Sequence, residues 1–331
     1  MKGGASHSQS LIKVPEEEEA NIYRQDNLTS SIRDLSPLRY PGGKGRLAKF
    51  LAIILQINDC GGCHYYEPFA GGAGAAFRLL VDGIAGEVFL NDADPCVYAF
   101  WVSAMRETER FSDHILNVPL TIEEWRRQKA ICFNSTSQST FDLGFAAFYL
   151  NRCNRSGILF GAGPIGGYAQ KGSWRLNARF NREDLASRVF RLGQYRDSVH
   201  IYNLDALAFL GSQLPMGKRK RKAFVYLDPP YFNAGRRLYF NSFREKDHRA
   251  LARYVSRQKK LKWIMTYDDS DFIRQIYRSC REFTFSLSYS LQEKREAREL
   301  LIAPQHLIMP NYNKLGEIKM DPQRIQTQIN N

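Results

Sequence analysis

Apolar and polar positions alternate in blocks along most of the chain, and the blocks change period in a regular way. An amphipathic stretch from Arg46 to Ile57 predicts a helix, and Tyr65-Tyr66-Glu67-Pro68-Phe69 predicts a short strand running into a glycine-rich turn. Ala75 to Val81 reads as the next helix, and Glu87-Val88-Phe89-Leu90 as the next strand. The fully apolar run Ala223-Phe224-Val225-Tyr226-Leu227 predicts a buried strand, followed by another at Lys262 to Thr266 and a helix from about Ser270 to Ser279. Glu282 to Leu291 and Glu299 to Ala303 read as a closing strand pair joined by the charged link Gln292 to Arg298. Strand–helix alternation of this kind predicts an α/β fold around a mostly parallel sheet. It fills about 38–118 and resumes at about 199, so 119–198 reads as an insert of helix and loop containing one buried helix, Phe141 to Leu150. The expected organisation is an N-terminal arm (1–36), a first half-domain (37–118), the insert (119–198), a second half-domain (199–310) and a tail (311–331).

Three loops carry candidate chemistry. The first follows the most apolar strand, where Asp228-Pro229-Pro230-Tyr231 stops it abruptly, because two prolines forbid both a helix and further ladder pairing. An acid and an aromatic ring are then held at the strand's carboxyl end, where open α/β sheets keep their ligand sites. A carboxylate and the carbonyl of Pro229 can both accept hydrogen bonds from one exocyclic amine, and Tyr231 offers a stacking face. The second is Glu67-Pro68-Phe69-Ala70-Gly71-Gly72-Ala73-Gly74, whose glycines allow a ligand close to the backbone at a helix start. Asp92, in Asn91-Asp92-Ala93-Asp94, follows Gly72 at the spacing of a ribose-binding acid in a nucleotide-binding unit. The third is Tyr40-Pro41-Gly42-Gly43-Lys44, which is not a P-loop because Gly45 stands where Ser or Thr is required.

Pro-Gly-Gly-Lys, Glu-Pro-Phe-Ala-Gly-Gly, Asn-Asp-Ala-Asp and Asp-Pro-Pro-Tyr, in this order from about Leu38 to about Pro304, resemble the motifs of Dam-type DNA adenine methyltransferases. The resemblance implies a Rossmann-like methyltransferase sheet with an inserted target-recognition domain, S-adenosylmethionine as cofactor, and adenine N6 in double-stranded DNA as acceptor. Carried over residue by residue, Tyr40, Lys44, Glu67, Phe69, Gly71, Gly72 and Asp92 become cofactor contacts, and Asp205 looks like the acid that holds the cofactor's adenine. Asp228, Pro229, Pro230 and Tyr231 become the catalytic motif, with Asp228 also beside the cofactor. The turn Gly71-Gly72-Ala73-Gly74 is richer in glycine than many relatives, which leaves its register open by one residue. The implied mechanism rotates the adenine out of the duplex and transfers the methyl directly to its amine, with no metal and no covalent enzyme intermediate.

A formal net charge of +13 over 331 residues agrees with an anionic polymer partner. No apolar run reaches the length of a membrane span and the N-terminus lacks the blocks of a signal peptide, so a cytoplasmic protein is expected. Cys60-Gly61-Gly62-Cys63-His64 fits a haem-attachment pattern, but covalent haem needs export and zinc needs further ligands; a turn with free thiols is the expectation. Within the insert, Asn151 to Arg182 holds six basic residues, six glycines and no acid. Arg152, Arg155, Lys171, Arg175 and Arg179 are the candidate DNA contacts, interleaved with Phe160, Tyr168, Trp174 and Phe180. Asn151-Arg152 and Gly157 are similar to the family's Asn-Arg-x-Gly stretch, and the rest of the insert departs from it. The basic run Lys218 to Lys222 is assigned no role. An RNA adenine methyltransferase is the alternative, while a nicotinamide enzyme would leave Asp228 to Tyr231 idle. A companion restriction or defence protein, the target sequence and the oligomeric state stay open.

Overall fold

The sheet is organised around β4 (Ala223–Leu227), every residue of which is buried. The computed structural model describes residues 35–39, 47–232, 243–288, 296–310 and 319–321. Tyr40 and Lys44 therefore lie outside the described residues, as do most of the arm and the tail. The remaining strands are β1 (Cys63–Glu67), β2 (Ala85–Asn91), β3 (Val199–Tyr202), β5 (Lys262–Asp268), β6 (Arg281–Ser288), β7 (Glu296–Ala303) and β8 (Lys319–Asp321). Their order is β3-β2-β1-β4-β5-β7-β6, with the three-residue β8 added at the edge. The first five run parallel, whereas β7 is antiparallel to both β5 and β6. This is a mixed α/β fold consistent with a methyltransferase sheet. A parallel strand covered on both faces loses polar alternation, which is why β4 reads as one apolar run.

Ten α-helices accompany the sheet among the described residues: α1 (Ala48–Ile57), α2 (Gly74–Val81), α3 (Pro95–Arg106), α4 (Thr108–Asn117), α5 (Ile122–Phe133), α6 (Thr140–Cys153), α7 (Arg182–Gly193), α8 (Ala206–Gln213), α9 (Glu245–Ser256) and α10 (Asp271–Ile276). Their starts are set by side chains that accept from otherwise unpaired amides. Asp94 accepts from Cys96 N at 2.8 Å with Pro95 in the first turn of α3, Ser139 caps α6 at 3.1 Å, and Asn181 caps α7 at 3.1 Å. Each predicted strand and helix is present, with shifted ends. The helix expected at 270–279 is shorter because it closes after Ile276, and β5 and β7 are longer than their apolar cores. Lys319–Asp321, assigned from sequence to the tail, pairs with Thr284–Ser286 of β6 instead.

The 119–198 segment is built on the same core as the sheet domain. Helix α6 crosses α3 so closely that a Cβ on Gly144 would lie 2.4 Å from the carbonyl oxygen of Ala99. Phe100, Phe111, Phe145 and Phe148 fill the surrounding space, and Phe180 joins them at 5.6 Å from Phe148. Phe180, which the sequence shows interleaved with the basic residues of the insert, is 3% exposed and belongs to the core.

Candidate active site

Parallel strand order reverses between β1 and β4, since β2 and β3 lie on one side and β5 on the other. Ligands of open α/β sheets sit outside the carboxyl ends of the strands at such a point. Glu67 ends β1, Asn91 ends β2 with Asp92 next, and Asp228 directly follows β4. The sequence-predicted acids therefore converge on one crevice from three adjacent strands.

The glycine-rich turn after β1 is held from behind. Asp92 Oδ2 accepts from the Gly71 amide at 2.9 Å and its Oδ1 from the Asp94 amide at 3.0 Å. Trp101 of α3 donates its indole N–H to the Gly71 carbonyl at 2.8 Å. Gly71 has φ +45°, and Ala73, also at φ +45°, begins α2 from a left-handed conformation that side chains rarely adopt. Asn91 ties this turn to β3, donating to the Pro68 and Leu204 carbonyls at 3.0 Å each and accepting from Leu204 N at 2.9 Å. Asn203 adds a 2.7 Å bond to the Asp92 carbonyl. Asp205 stands just beyond, where Oδ1 caps α8 through Leu207 N at 2.9 Å and Ala208 N at 3.3 Å. Phe69 packs edge-on against Phe243, with ring centres 5.7 Å apart.

Burial raises both carboxyls of this region. Glu67, 4% exposed and bonded to the Tyr65 hydroxyl at 3.1 Å, is pushed up to about 8, first by desolvation and then by the charge of Asp228. Asp92 is pushed up to about 7 by desolvation and by Asp94, against the opposing pull of its two backbone donors. A raised acid binds more protons folded than unfolded, so the contribution works against stability as pH climbs from the unfolded value to the folded one. The protein is accordingly expected to lose stability between about pH 4.5 and 8. Unfolding free energies from denaturant melts at pH 5.5 and 8.5 should differ for this reason by about a few kcal/mol at most, on the order set by the linkage relation. Glu67→Gln should shrink the difference, and an unchanged pH dependence in that variant would assign it to other groups.

Asp228 to Tyr231 are held from the neighbouring strands. Asp228 Oδ1 accepts from the Thr266 hydroxyl of β5 at 2.6 Å. The Tyr231 hydroxyl, held well above its ordinary pKa by burial, donates to Glu299 Oε2 of β7 at 2.8 Å. Phe232, the next residue, bonds through its amide to Asp268 Oδ1 at 2.8 Å. Thr266 and Glu299 are absent from the sequence-derived candidates. The sequence signal is a polar residue inside the apolar run Trp263 to Tyr267 for Thr266, and the last charge before the apolar run Leu300 to Ala303 for Glu299; they are 0% and 2% exposed.

A family model of D12 class N6 adenine-specific DNA methyltransferases matches residues 40–298, most of the chain. The chain belongs to that family. Members transfer a methyl group to adenine N6 of DNA, so this methyltransferase is an enzyme of that class and S-adenosylmethionine is its implied methyl donor. The RNA alternative finds no support. No curated protein matches the chain.

In this D12-class enzyme the predicted basic residues are not equivalent. Arg155, Lys171, Arg175 and Arg179 are exposed. Arg152 is half-buried, donates through Nε to the Arg179 carbonyl at 2.8 Å, and is lowered to about 10 by desolvation and by neighbouring Arg39 and Arg188. Arg182, counted in the basic stretch, is committed to the carbonyls of Ile115, Leu116 and Val118 at 2.5–2.9 Å, closing the end of α4. Asn151 clamps the Arg39 backbone, accepting from its N–H at 2.6 Å and donating to its carbonyl at 2.8 Å, with Gly157 O as a second acceptor at 2.9 Å. Gly157, at φ +74°, lies against the Arg39 carbonyl where a Cβ would come within 2.7 Å. Tyr168 and Trp174 remain 58% and 69% exposed. All six cysteines are free thiols, five of them buried. Among the described residues no cluster of three or more His, Cys, Asp or Glu is arranged to hold a metal, and no helix is long and apolar enough to cross a membrane.

Proposed function

We propose that Asp228, Pro229, Pro230 and Tyr231 are the catalytic motif of this DNA adenine methyltransferase, with Glu67, Phe69, Gly71, Gly72, Asp92 and Asp205 on the cofactor side. The observation that supports this most directly is the convergence of Glu67, Asp92 and Asp228 at the reversal of strand order, with Tyr231 anchored beside Asp228. The donor set fits S-adenosylmethionine. A half-buried Asp92 carboxylate at the end of β2 suits ribose hydroxyls, and a left-handed turn before a helix suits a group that approaches the backbone. When bound, the cofactor supplies a sulfonium-activated methyl group. The protein's own work is positioning and electrostatics. Asp228 and the Pro229 carbonyl accept from the two N–H bonds of the adenine amine and direct its lone pair out of the ring plane, while the Tyr231 ring supports the base. Tyr40 and Lys44 complete the cofactor side in this reading.

The loop residues Arg155, Lys171 and Arg175 touch duplex DNA in this reading, with Arg179 beside them and Arg152 fixing the loop from within. The acid-free composition of 151–182 and the exposure of these side chains support it. Replacing Arg155, Lys171 and Arg175 together with alanine should lower the salt slope of DNA affinity by about 2–3 units, one for each phosphate no longer neutralised. Cofactor affinity and melting temperature should stay put, because the three side chains lie outside the core. An unchanged slope in a titration against salt would move the DNA interface elsewhere.

A further inference from the structure

β4 and β5 are paired parallel in constant register, with Tyr226 opposite Ile264 and Leu227 opposite Met265. One step further, Asp228 meets Thr266, the first position past the paired residues. Thr266 is wholly buried, and its hydroxyl oxygen lies 2.6 Å from Asp228 Oδ1 and 3.0 Å from the hydroxyl of Tyr226. A threonine hydroxyl has one proton to give. Since it gives that proton to the carboxylate, the Tyr226 hydroxyl must be the donor to Thr266. Tyr226 is suited to this, because burial keeps its phenol protonated far above the ordinary range. The two bonds therefore run one way, from Tyr226 through Thr266 to Asp228.

We infer that Thr266, with Tyr226 behind it, is a positioning residue for methyl transfer: the directed hydroxyl pair fixes the rotation of the Asp228 carboxylate and keeps it a hydrogen-bond acceptor toward the adenine amine. The inference rests on the assignment of Asp228 under Proposed function. Its physical basis is that an acceptor must hold its orientation closely for the amine lone pair to be aligned, and a buried hydroxyl bonded to one carboxylate oxygen restricts rotation about the Cβ–Cγ bond. Thr266 engages Oδ1 from the neighbouring strand β5. Chain order explains the arrangement: Tyr226 and Asp228 are two residues apart on β4 and share a face, and the parallel register brings Thr266 onto that same face.

The test is steady-state and single-turnover kinetics on duplex DNA with the full-length protein. Thr266→Val preserves shape and removes the hydroxyl; kcat should fall about ten- to a hundredfold, the range for residues that orient a functional group from behind. KM for DNA and for S-adenosylmethionine should stay within about twofold, since Thr266 touches neither. Thr266→Ser should restore most of kcat, and Tyr226→Phe should lower it by a smaller factor with KM again unchanged. Where Thr266→Val fails to fold, Tyr226→Phe and Thr266→Ser decide the matter. Unchanged kcat in Thr266→Val or Tyr226→Phe, or equal losses in kcat and in cofactor affinity, would overturn the inference. Asp228→Ala, run alongside, separates the two levels. If it stays active, the catalytic assignment itself is wrong; if it is inactive while Thr266→Val is normal, only the positioning role falls.

Discussion

Asp228→Ala should reduce methyl transfer by at least about a hundredfold in kcat while leaving S-adenosylmethionine affinity nearly intact. The magnitude is that of deleting one preorganised electrostatic partner of a reacting group. The asymmetry between chemistry and binding follows from the proposed roles: Asp228 faces the acceptor amine in that reading, whereas the glycine-rich turn is fixed by bonds that do not involve it. Those are Gly71 to Asp92, Trp101 to Gly71 and the Asn91 clamp. Removing the carboxylate also leaves the buried Thr266 hydroxyl without its acceptor, so a modest drop in melting temperature should accompany the kinetic effect. Calorimetry gives the decisive comparison. Equal collapse of cofactor binding and turnover would place Asp228 on the donor side of the crevice instead.

The largest effect on the fold is expected at Gly144. A Cβ there would sit 2.4 Å from the Ala99 carbonyl oxygen, 2.6 Å from its carbon and 2.9 Å from the Phe100 nitrogen. All three are backbone atoms of α3, so no side chain can rotate away, and the two helices must separate. Gly144→Val should cost about 3 kcal/mol or more, at or beyond the upper end of ordinary overpacking. Because Phe100, Phe145 and Phe148 pack around the same crossing, separating the helices would loosen the aromatic cluster that also holds Phe180. The loop carrying Arg155 to Arg179 leads into Phe180, so DNA affinity should fall together with stability. A denaturant melt within about 0.5 kcal/mol of wild type, the scatter of neutral surface changes, would show that the helices accommodate the methyl groups.

Much of the sheet domain was legible because β2, β4 and β5 each hold a short apolar run and because glycine, acid or proline follows β1, β2 and β4. Asp228-Pro229-Pro230 and Gly71-Gly72 announce where strands stop, since proline and glycine act locally on the backbone. The residues that hold those loops were not legible. Trp101 supports Gly71 from 30 positions away, Thr266 reaches Asp228 across 38, and Glu299 reaches Tyr231 across 68. The Asp228–Thr266 pairing comes from sheet register and the other two from how a helix and a loop pack against the sheet, none of which a single sequence discloses. The same limit applies to Phe180: the sequence shows only that it is interleaved with arginines, whereas the ring, following a 3₁₀ turn at Leu176–Arg179, packs into the α3–α6 core. Asn151 lies in the stretch similar to the family's Asn-Arg-x-Gly pattern, and its amide is spent on the Arg39 and Gly157 backbone.

Adenine-N6 transfer is tested most directly by the identity of the methylated nucleoside. Duplex DNA lacking prior methylation would be incubated with the protein and S-adenosylmethionine bearing a labelled methyl, digested, and separated by chromatography with mass detection. Label is expected in N6-methyldeoxyadenosine and nowhere else, with none when Asp228→Ala replaces the wild type and none in RNA of the same sequence. Label in methylated cytosine, or in RNA in preference to DNA, would contradict adenine-N6 transfer to DNA.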